Sequence, residues 1–316
     1  MDDWVAKNRL SLLAPERLKA LSVRSDWRGT FHLLSQVGAL IVTTVLLAKT
    51  WGSWWMIPPF MAQGILLNAL YAGQHEMCHR TAFKSRLANA IIGEIIGFIV
   101  ILPAQWDRLF HFAHHRNTQD PAKDPELLAY GIFDMKGWYI AMSGLPFGWG
   151  QAKAMVSAAR GSLPDYTYWL SEKEKPPMVA EARWHLALYA LIAILSVVFH
   201  SWIALKFWLG PMLLMKWFHQ FQNVGEHTAM THEPDTLSNT RTLVGPALMR
   251  WLMWNMSYHA AHHTFPSIPF HRLPELDREL RAKGAKPMVT LGYLRIQGEI
   301  VKTLSQRAAP ITGTAA

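Results

Sequence analysis

A chain of 316 residues is long enough for one large domain or two ordinary ones, but 51% hydrophobic residues against 17% charged ones leave too little polar surface to cover a water-soluble fold. The formal charge of +9 is spread through segments beside apolar stretches, with no dense basic stripe and no nucleic-acid module, which argues against a nucleic-acid partner and for membrane-flanking cations. A single cysteine, Cys78, excludes an internal disulfide framework and any cysteine-rich zinc or iron–sulfur site, so metal ligation falls to His, Asp and Glu.

Residues 1–28 carry six Lys or Arg against four acidic residues and have none of the order of a signal peptide. Residues 30–50 then run almost without charge for long enough to cross a bilayer core, and a second apolar stretch follows at 54–73, with Gln63 and Asn68 its strongly polar interruptions. Within the next region, Leu87 to Leu102 is apolar but short and contains Glu94, which reads as a re-entrant, interfacial or protein-buried segment. Trp138 to Ala159 mixes Trp, Tyr and Met with Gly and Lys, the composition of an interfacial stretch. The polar run Ser171 to Pro177 separates the halves.

A second pair of spans is expected at 184–199 and 202–218, joined by the cation-free turn His200-Ser201. Twelve Lys or Arg lie between Gln74 and Arg183, whereas the two hairpin turns carry almost none, so the positive-inside rule puts both termini in the cytoplasm. The expected fold is therefore an all-α integral membrane protein of four transmembrane helices in two hairpins. A cytoplasmic helical cap from 74–183 and 219–316 completes a single domain over 1–316. In a bacterial cell the membrane is the inner one. Leu243 to Tyr258, apolar and Trp-rich, is expected to return to the membrane edge, and the chain from Arg281 onward to end as a surface helix with a frayed tail.

Histidine is the unusual feature. His111, His114 and His115 stand at i, i+3 and i+4, as do His259, His262 and His263, so each trio shares one helix face. His75 and His79 form a related i, i+4 pair. With 15 His in the chain, chance supplies roughly 0.03 copies of the three-histidine pattern, far below the two observed. Hairpins that leave and re-enter the bilayer bring such distant clusters to one cytoplasmic face, where together with His227 they supply two metal ions with four or five nitrogens each. His227 is preferred to its neighbour His232. Asn223, one turn before His227, is placed to ligate weakly or through water.

Among nearby acids, Asp107, Asp120, Asp124, Glu126, Glu76 and Glu226 are candidates to receive the second ring N–H of a ligating histidine. His32, His185, His200, His219 and His271 read as ordinary hydrogen-bonded or interfacial residues, and Cys78 as packing.

The three histidine boxes between two membrane hairpins resemble the membrane fatty-acid desaturase superfamily, from the first span to about Leu276. Asn223-x-x-x-His227 is similar to that family's additional ligand element, and Tyr258 to Pro269 with Leu273-Pro274 resembles the final box of acyl-lipid desaturases. The resemblance implies two non-haem irons, molecular oxygen as co-substrate and a lipid acyl substrate. The third box opens with His259 in place of the Gln of front-end desaturases, and no cytochrome b5 signature is present. An external soluble electron donor, ferredoxin- or cytochrome b5-like, is therefore implied. Relatives on the same scaffold hydroxylate alkyl chains or oxidise isoprenoid rings, so a hydroxylase or ketolase is the alternative. A metal transporter is disfavoured because the clusters lie outside the spans, and a zinc hydrolase because it needs three protein ligands, not nine.

Overall fold

The computed structural model describes residues 12–164, 167–283 and 290–306. Residues 1–11 of the charged N-terminal segment and the tail beyond 306 lie outside the described residues. The chain is mostly helical. Helix α1 (Pro15–Leu21) leads into α2 (Asp26–Thr50), started by Ser25, whose hydroxyl caps the Arg28 N–H. After a tight turn, α3 (Ile57–Cys78) runs back beside α2, its Pro58-Pro59 placed in the first turn, where a missing N–H costs nothing.

Helix α3 is the hub. It packs on α2, on α4 (Arg86–Val100), on α5 (Ala104–Asn117), on α10 (Gly210–Leu214) and on α11 (Lys216–His227). Between α5 and α10 the chain forms α6 (Pro125–Tyr130), α7 (Met135–Met142), α8 (Leu145–Ala159) and α9 (Lys175–Val198). Beyond α11 come α12 (Thr236–Asn239), α13 (Ala247–Leu252), α14 (His259–Thr264), α15 (Leu273–Ala282) and α16 (Tyr293–Gln306). One departure from the all-α expectation is a short parallel pair, β1 (Thr242–Val244) with β2 (Thr290–Gly292), in register Thr242 to Thr290. The final helix α16 buries Ile296, Ile300 and Leu304 at helical spacing, so it is an amphipathic helix docked on α11 and α7.

Among the described helices, α2 and α9 are long and apolar enough to cross a membrane, and α4 with α5 makes a third candidate if the bent pair counts as one span. Both α2 and α9 turn apolar side chains outward, among them Ile41, Val45, Ile194 and Val198. The pair α4–α5 bends by 98° at Ile101-Leu102-Pro103, in keeping with the re-entrant reading of Leu87 to Leu102. Ile101 takes a left-handed conformation there (φ 60°), a strained choice for a β-branched residue. The corner is held from outside: Gln74 donates to the Leu102 carbonyl at 3.0 Å, and Glu181 accepts the Gln105 N–H at 2.9 Å.

The stretch 202–218, expected as one span, is broken. A wide turn at Leu205–Leu209 precedes α10, and Met215 separates α10 from α11. Pro211 is the physical reason for the wide turn, since it has no N–H to offer the carbonyl of Phe207 four residues back. Gln63 of α3 donates to that carbonyl at 3.0 Å, while Asn68 donates to the Met212 carbonyl at 2.8 Å. The two polar interruptions of the second apolar stretch, both buried, thus serve the broken backbone beside it.

This contact demands close approach. A Cβ on Gly64 would stand 2.2 Å from the Pro211 carbonyl oxygen, whereas one on Gly38 meets nothing within 4 Å. Gly64→Ala should therefore push α3 from α10 and destabilise the protein by about 1–3 kcal/mol, read as a lower melting temperature in detergent, with Gly38→Ala unchanged or raised.

Candidate metal centre

Each histidine cluster sits where a helix ends or turns. His75 lies in the last turn of α3 and His79 caps it; His111, His114 and His115 fill the C-terminal half of α5. His227 ends α11, and the third trio lies on the six-residue helix α14. The intervening Ala260 and Ala261 are fully buried, so the turn carrying the third trio can pack flush against its neighbours. Arg241 fixes its entry: the Ala260 N–H donates to the Arg241 carbonyl at 3.2 Å, and the Arg241 guanidinium donates to the Gly225 carbonyl at 3.2 Å.

The nine imidazoles gather into two adjoining groups. His75, His79, His111, His115 and His262 have ligand atoms within 4.8 Å of one another, as do His114, His227 and His263. His259 joins the second group, its Nε2 3.1 Å from the Nε2 atoms of both His227 and His263. Both three-histidine turns are divided between the groups: His111 and His115 face the first and His114 the second, while His262 faces the first and His259 and His263 the second. The groups touch where the His115 and His263 rings stack at 4.1 Å between centroids.

Proton accounting tests whether these residues fit metal ions. His114 Nδ1 lies 2.9 Å from the Asp124 carboxylate and His227 Nδ1 lies 3.1 Å from the Asn239 carbonyl, partners that only accept. Thr118 donates its hydroxyl hydrogen to the His114 carbonyl, so at 3.1 Å it accepts from His263 Nδ1. All three rings therefore carry a proton on Nδ1 and turn Nε2 toward the cluster, His227 and His263 with a lone pair there. In the first group His111 Nε2 lies 2.8 Å from His79 Nε2 and 2.7 Å from His115 Nε2, and one nitrogen cannot serve both. Imidazole nitrogens crowded beyond what hydrogen bonds can satisfy are the donor set of a cation, and edges near 3.0 Å follow from bonds of about 2.1 Å. The residues fit two metal ions.

Electrostatics point the same way. Burial holds His79 and His227 down to about 3 and keeps His259, His262 and His263 well below the ordinary imidazole value, so these rings are neutral at physiological pH. His114 differs: burial alone lowers it, but the carboxylates of Asp124 and Glu126 outweigh that and raise it to about 9. That ring is protonated on both nitrogens at neutral pH, so a metal at Nε2 must displace a proton while Asp124 holds the one on Nδ1.

Of the candidate acids, Asp124 and Glu126 reach His114, at 2.9 and 3.3 Å, and Glu226 lies 3.5 Å from His259 Nε2. Burial pushes Glu226 up to about 8. The other three acids do not touch the cluster. Asp107 accepts from Gln74 and Cys78, Glu76 from Thr81 and the Phe270 N–H, and Asp120 from the Ala122 N–H. Cys78 is accordingly a packing residue that donates to Asp107. His232 donates to, or is held by, the Gln119 carbonyl at 3.0 Å and stands apart, so His227 is the histidine brought to the cluster.

Asn223 is half-buried and lines a cavity of about 70 Å³ that ends on His75, His111, His114 and His259, with no imidazole contact of its own. Tyr71, Trp106, Phe110, Tyr130, Phe147 and Met256 wall this cavity. A larger one of about 470 Å³ shares Glu126, Tyr130, Phe147 and Asn223 with it and continues between α6, α7 and α8. Among the histidines read as ordinary, His32 bonds the Trp251 carbonyl at 2.8 Å, His219 lines the smaller cavity and His200 is exposed. Thr118 and Asn239, which fix two ring orientations, escaped the sequence reading because nothing local distinguishes them from turn residues.

A helical bundle closes a cavity with aromatic walls and polar groups over two imidazole clusters, and the comparisons give the class, a membrane-associated oxidoreductase. The family model for fatty acid desaturases matches residues 21–293, and the chain belongs to that family. It is 28% identical to the sphingolipid delta(4)-desaturase DES1 of Drosophila melanogaster over 80% of this chain and 73% of the relative. Identity is 25% to the dihydrorhizobitoxine desaturase of Bradyrhizobium elkanii, over 82% of this chain and 78% of the relative. It is 24% to the sphingolipid delta(4)-desaturase/C4-monooxygenase DES2 of Rattus norvegicus, over 81% and 75%.

The Asp124 contact is open to test. Asp124→Asn should weaken metal retention by about 10–100-fold, read by elemental analysis after graded chelator treatment, while Asp120→Asn leaves it unchanged.

Proposed function

We propose that this chain is an oxygen-dependent di-iron desaturase that introduces a double bond into a lipid acyl chain. The observation that carries the reading is the division of both three-histidine turns between two imidazole groups at the end of an aromatic-walled cavity. In this reading His75, His79, His111, His115 and His262 hold one iron and His114, His227, His259 and His263 the other, with Asn223 acting through water beside the second. Bound iron supplies the reduction of dioxygen and the oxidation of an unactivated C–H bond, chemistry that acid–base groups cannot perform.

The chain's own residues position and shield. Asp124, Asn239 and Thr118 keep the protons of their histidines on Nδ1, turned away from the metals. Trp106, Phe110, Tyr130 and Phe147 form the aromatic side of the cavity, along which an acyl chain lies with two adjacent carbons beside the imidazole groups. The larger cavity between α6, α7 and α8 is the entry, flanked by the outward-facing Tyr139, Leu145 and Trp149 that suit a membrane surface. Four spans in two hairpins, with α3 and the broken 202–218 segment as the second and fourth, place the cluster and both termini on the cytoplasmic side within a single domain. Electrons arrive from a separate soluble donor.

A hydroxylase is the second reading. The rat relative's name joins desaturase to C4-monooxygenase, and the two outcomes differ only in whether the neighbouring carbon loses its hydrogen or oxygen returns to the first.

Mass spectrometry of acyl chains and isoprenoids from a host expressing the protein, against His262→Ala, decides the matter. A new double bond absent from the variant is expected; a hydroxyl or keto product would replace the desaturase reading with the second. Ala72→Leu, at the cavity wall, should cut turnover about tenfold or more by displacing the chain, with metal content retained.

A further inference from the structure

We propose that Glu94, Glu181 and His185 form a separate metal site, outside the nine imidazoles, that takes a divalent ion of the zinc class. Glu94 projects from α4, and Glu181 and His185 stand one turn apart on α9, so the trio joins the two halves of the chain. One ligand atom from each lies within 4.8 Å of the others. The sequence reading set His185 aside because an isolated histidine in an apolar helix is ordinarily satisfied by hydrogen bonds. This one is not.

His185 is fully buried, and its Nε2 has no hydrogen-bond partner; neither has Glu94 Oε1, which it faces at 3.5 Å. The tautomer follows from the neighbour. Tyr189 donates its hydroxyl hydrogen to the Phe98 carbonyl at 2.8 Å and therefore accepts from His185 Nδ1 at 3.2 Å. The proton is on Nδ1, and a bare lone pair at Nε2 points at a carboxylate oxygen. A buried imidazolium–carboxylate pair would close to about 2.7–2.9 Å, and a proton shared between the two glutamates would leave both facing atoms unpaired. A cation between them removes the conflict, since bonds of about 2.0–2.1 Å in a tetrahedron set ligands about 3.4 Å apart.

Charge supports the same reading. Two carboxylates neutralise a divalent ion, so the complete site is uncharged where an isolated ion would be costly to bury. Glu181 is oriented by the Gln105 N–H, which lies 2.9 and 3.1 Å from its two oxygens. Glu94 also borders a cavity of about 120 Å³ lined by Arg80, Gln105 and Arg108, which Glu181 and His185 do not reach. An imidazole with two carboxylates and no thiolate suits zinc and its neighbours among divalent transition ions. The bound ion would pin the α4–α5 corner to α9 at the first turn of the helix that bears His111, His114 and His115.

Equilibrium dialysis of the chelator-stripped, full-length protein in detergent against Zn2+ tests this. Glu94→Gln and His185→Gln should each bind one equivalent per chain fewer than wild type, and Glu172→Gln, an exposed control, the same number. Equal stoichiometry in all would overturn the site. Because the difference between proteins is read, failure of the di-iron reading would change every total and leave the difference intact. If neither variant folds, carbodiimide labelling of the wild-type carboxyls decides: Zn2+ should protect Glu94, and labelling unaffected by Zn2+ would overturn the proposal.

Discussion

The structure depends on a geometric constraint set by helical spacing. Residues at i and i+4 project nearly together and i+3 slightly aside, so one turn can serve two points only a few ångströms apart. Both three-histidine turns are used in this way, on α5 and on α14, and they approach until His115 stacks on His263. Such an approach requires that nothing bulky intervene, and Ala113, Ala260 and Ala261, all fully buried, meet the requirement. Crowding nine buried imidazoles, with contacts such as those at His111 that one proton cannot satisfy, would be unfavourable in a bare protein. The gathering makes physical sense as a preformed receptacle for cations.

The rest of the molecule holds those turns in place, and it does so with buried polar groups. Gln63 and Asn68 serve the carbonyls that Pro211 and the break after α10 leave free, and Gln74 ties α3 to the α4–α5 corner. Gln36 of α2 accepts from the fully buried Trp254 and donates to the Leu252 carbonyl, which fixes the turn leading into the third trio. Leaving one such buried group unpaired costs about 1–3 kcal/mol, so these amides are structural elements of the site although none touches it.

What the sequence made legible follows from what is local. The i, i+3, i+4 pattern, the apolar stretches 30–50 and 184–199 and the short Leu87 to Leu102 segment all report on their own conformation, and they reappear as α14, α2, α9 and α4. The break at Met215 and the small β1–β2 pair were not legible, because they answer to distant partners: Asn68 for the first, the 290–292 segment for the second. The same holds within the site. In sequence the preference for His227 over His232 leans on a resemblance, whereas in space the Asn239 carbonyl turns its ring to the cluster and the Gln119 carbonyl holds His232. His185 is the converse case, a residue that looked ordinary until Glu94 arrived from the other half of the chain.

The central claim is that one chain holds two metals by dividing each three-histidine turn between them. Anomalous-difference maps at the iron edge, from crystals of the protein purified with its native metal, test it most directly. The account predicts two peaks, one enclosed by His75, His79, His111, His115 and His262, the other by His114, His227, His259 and His263. A single peak, or two peaks of which one lies outside these imidazoles, would contradict it.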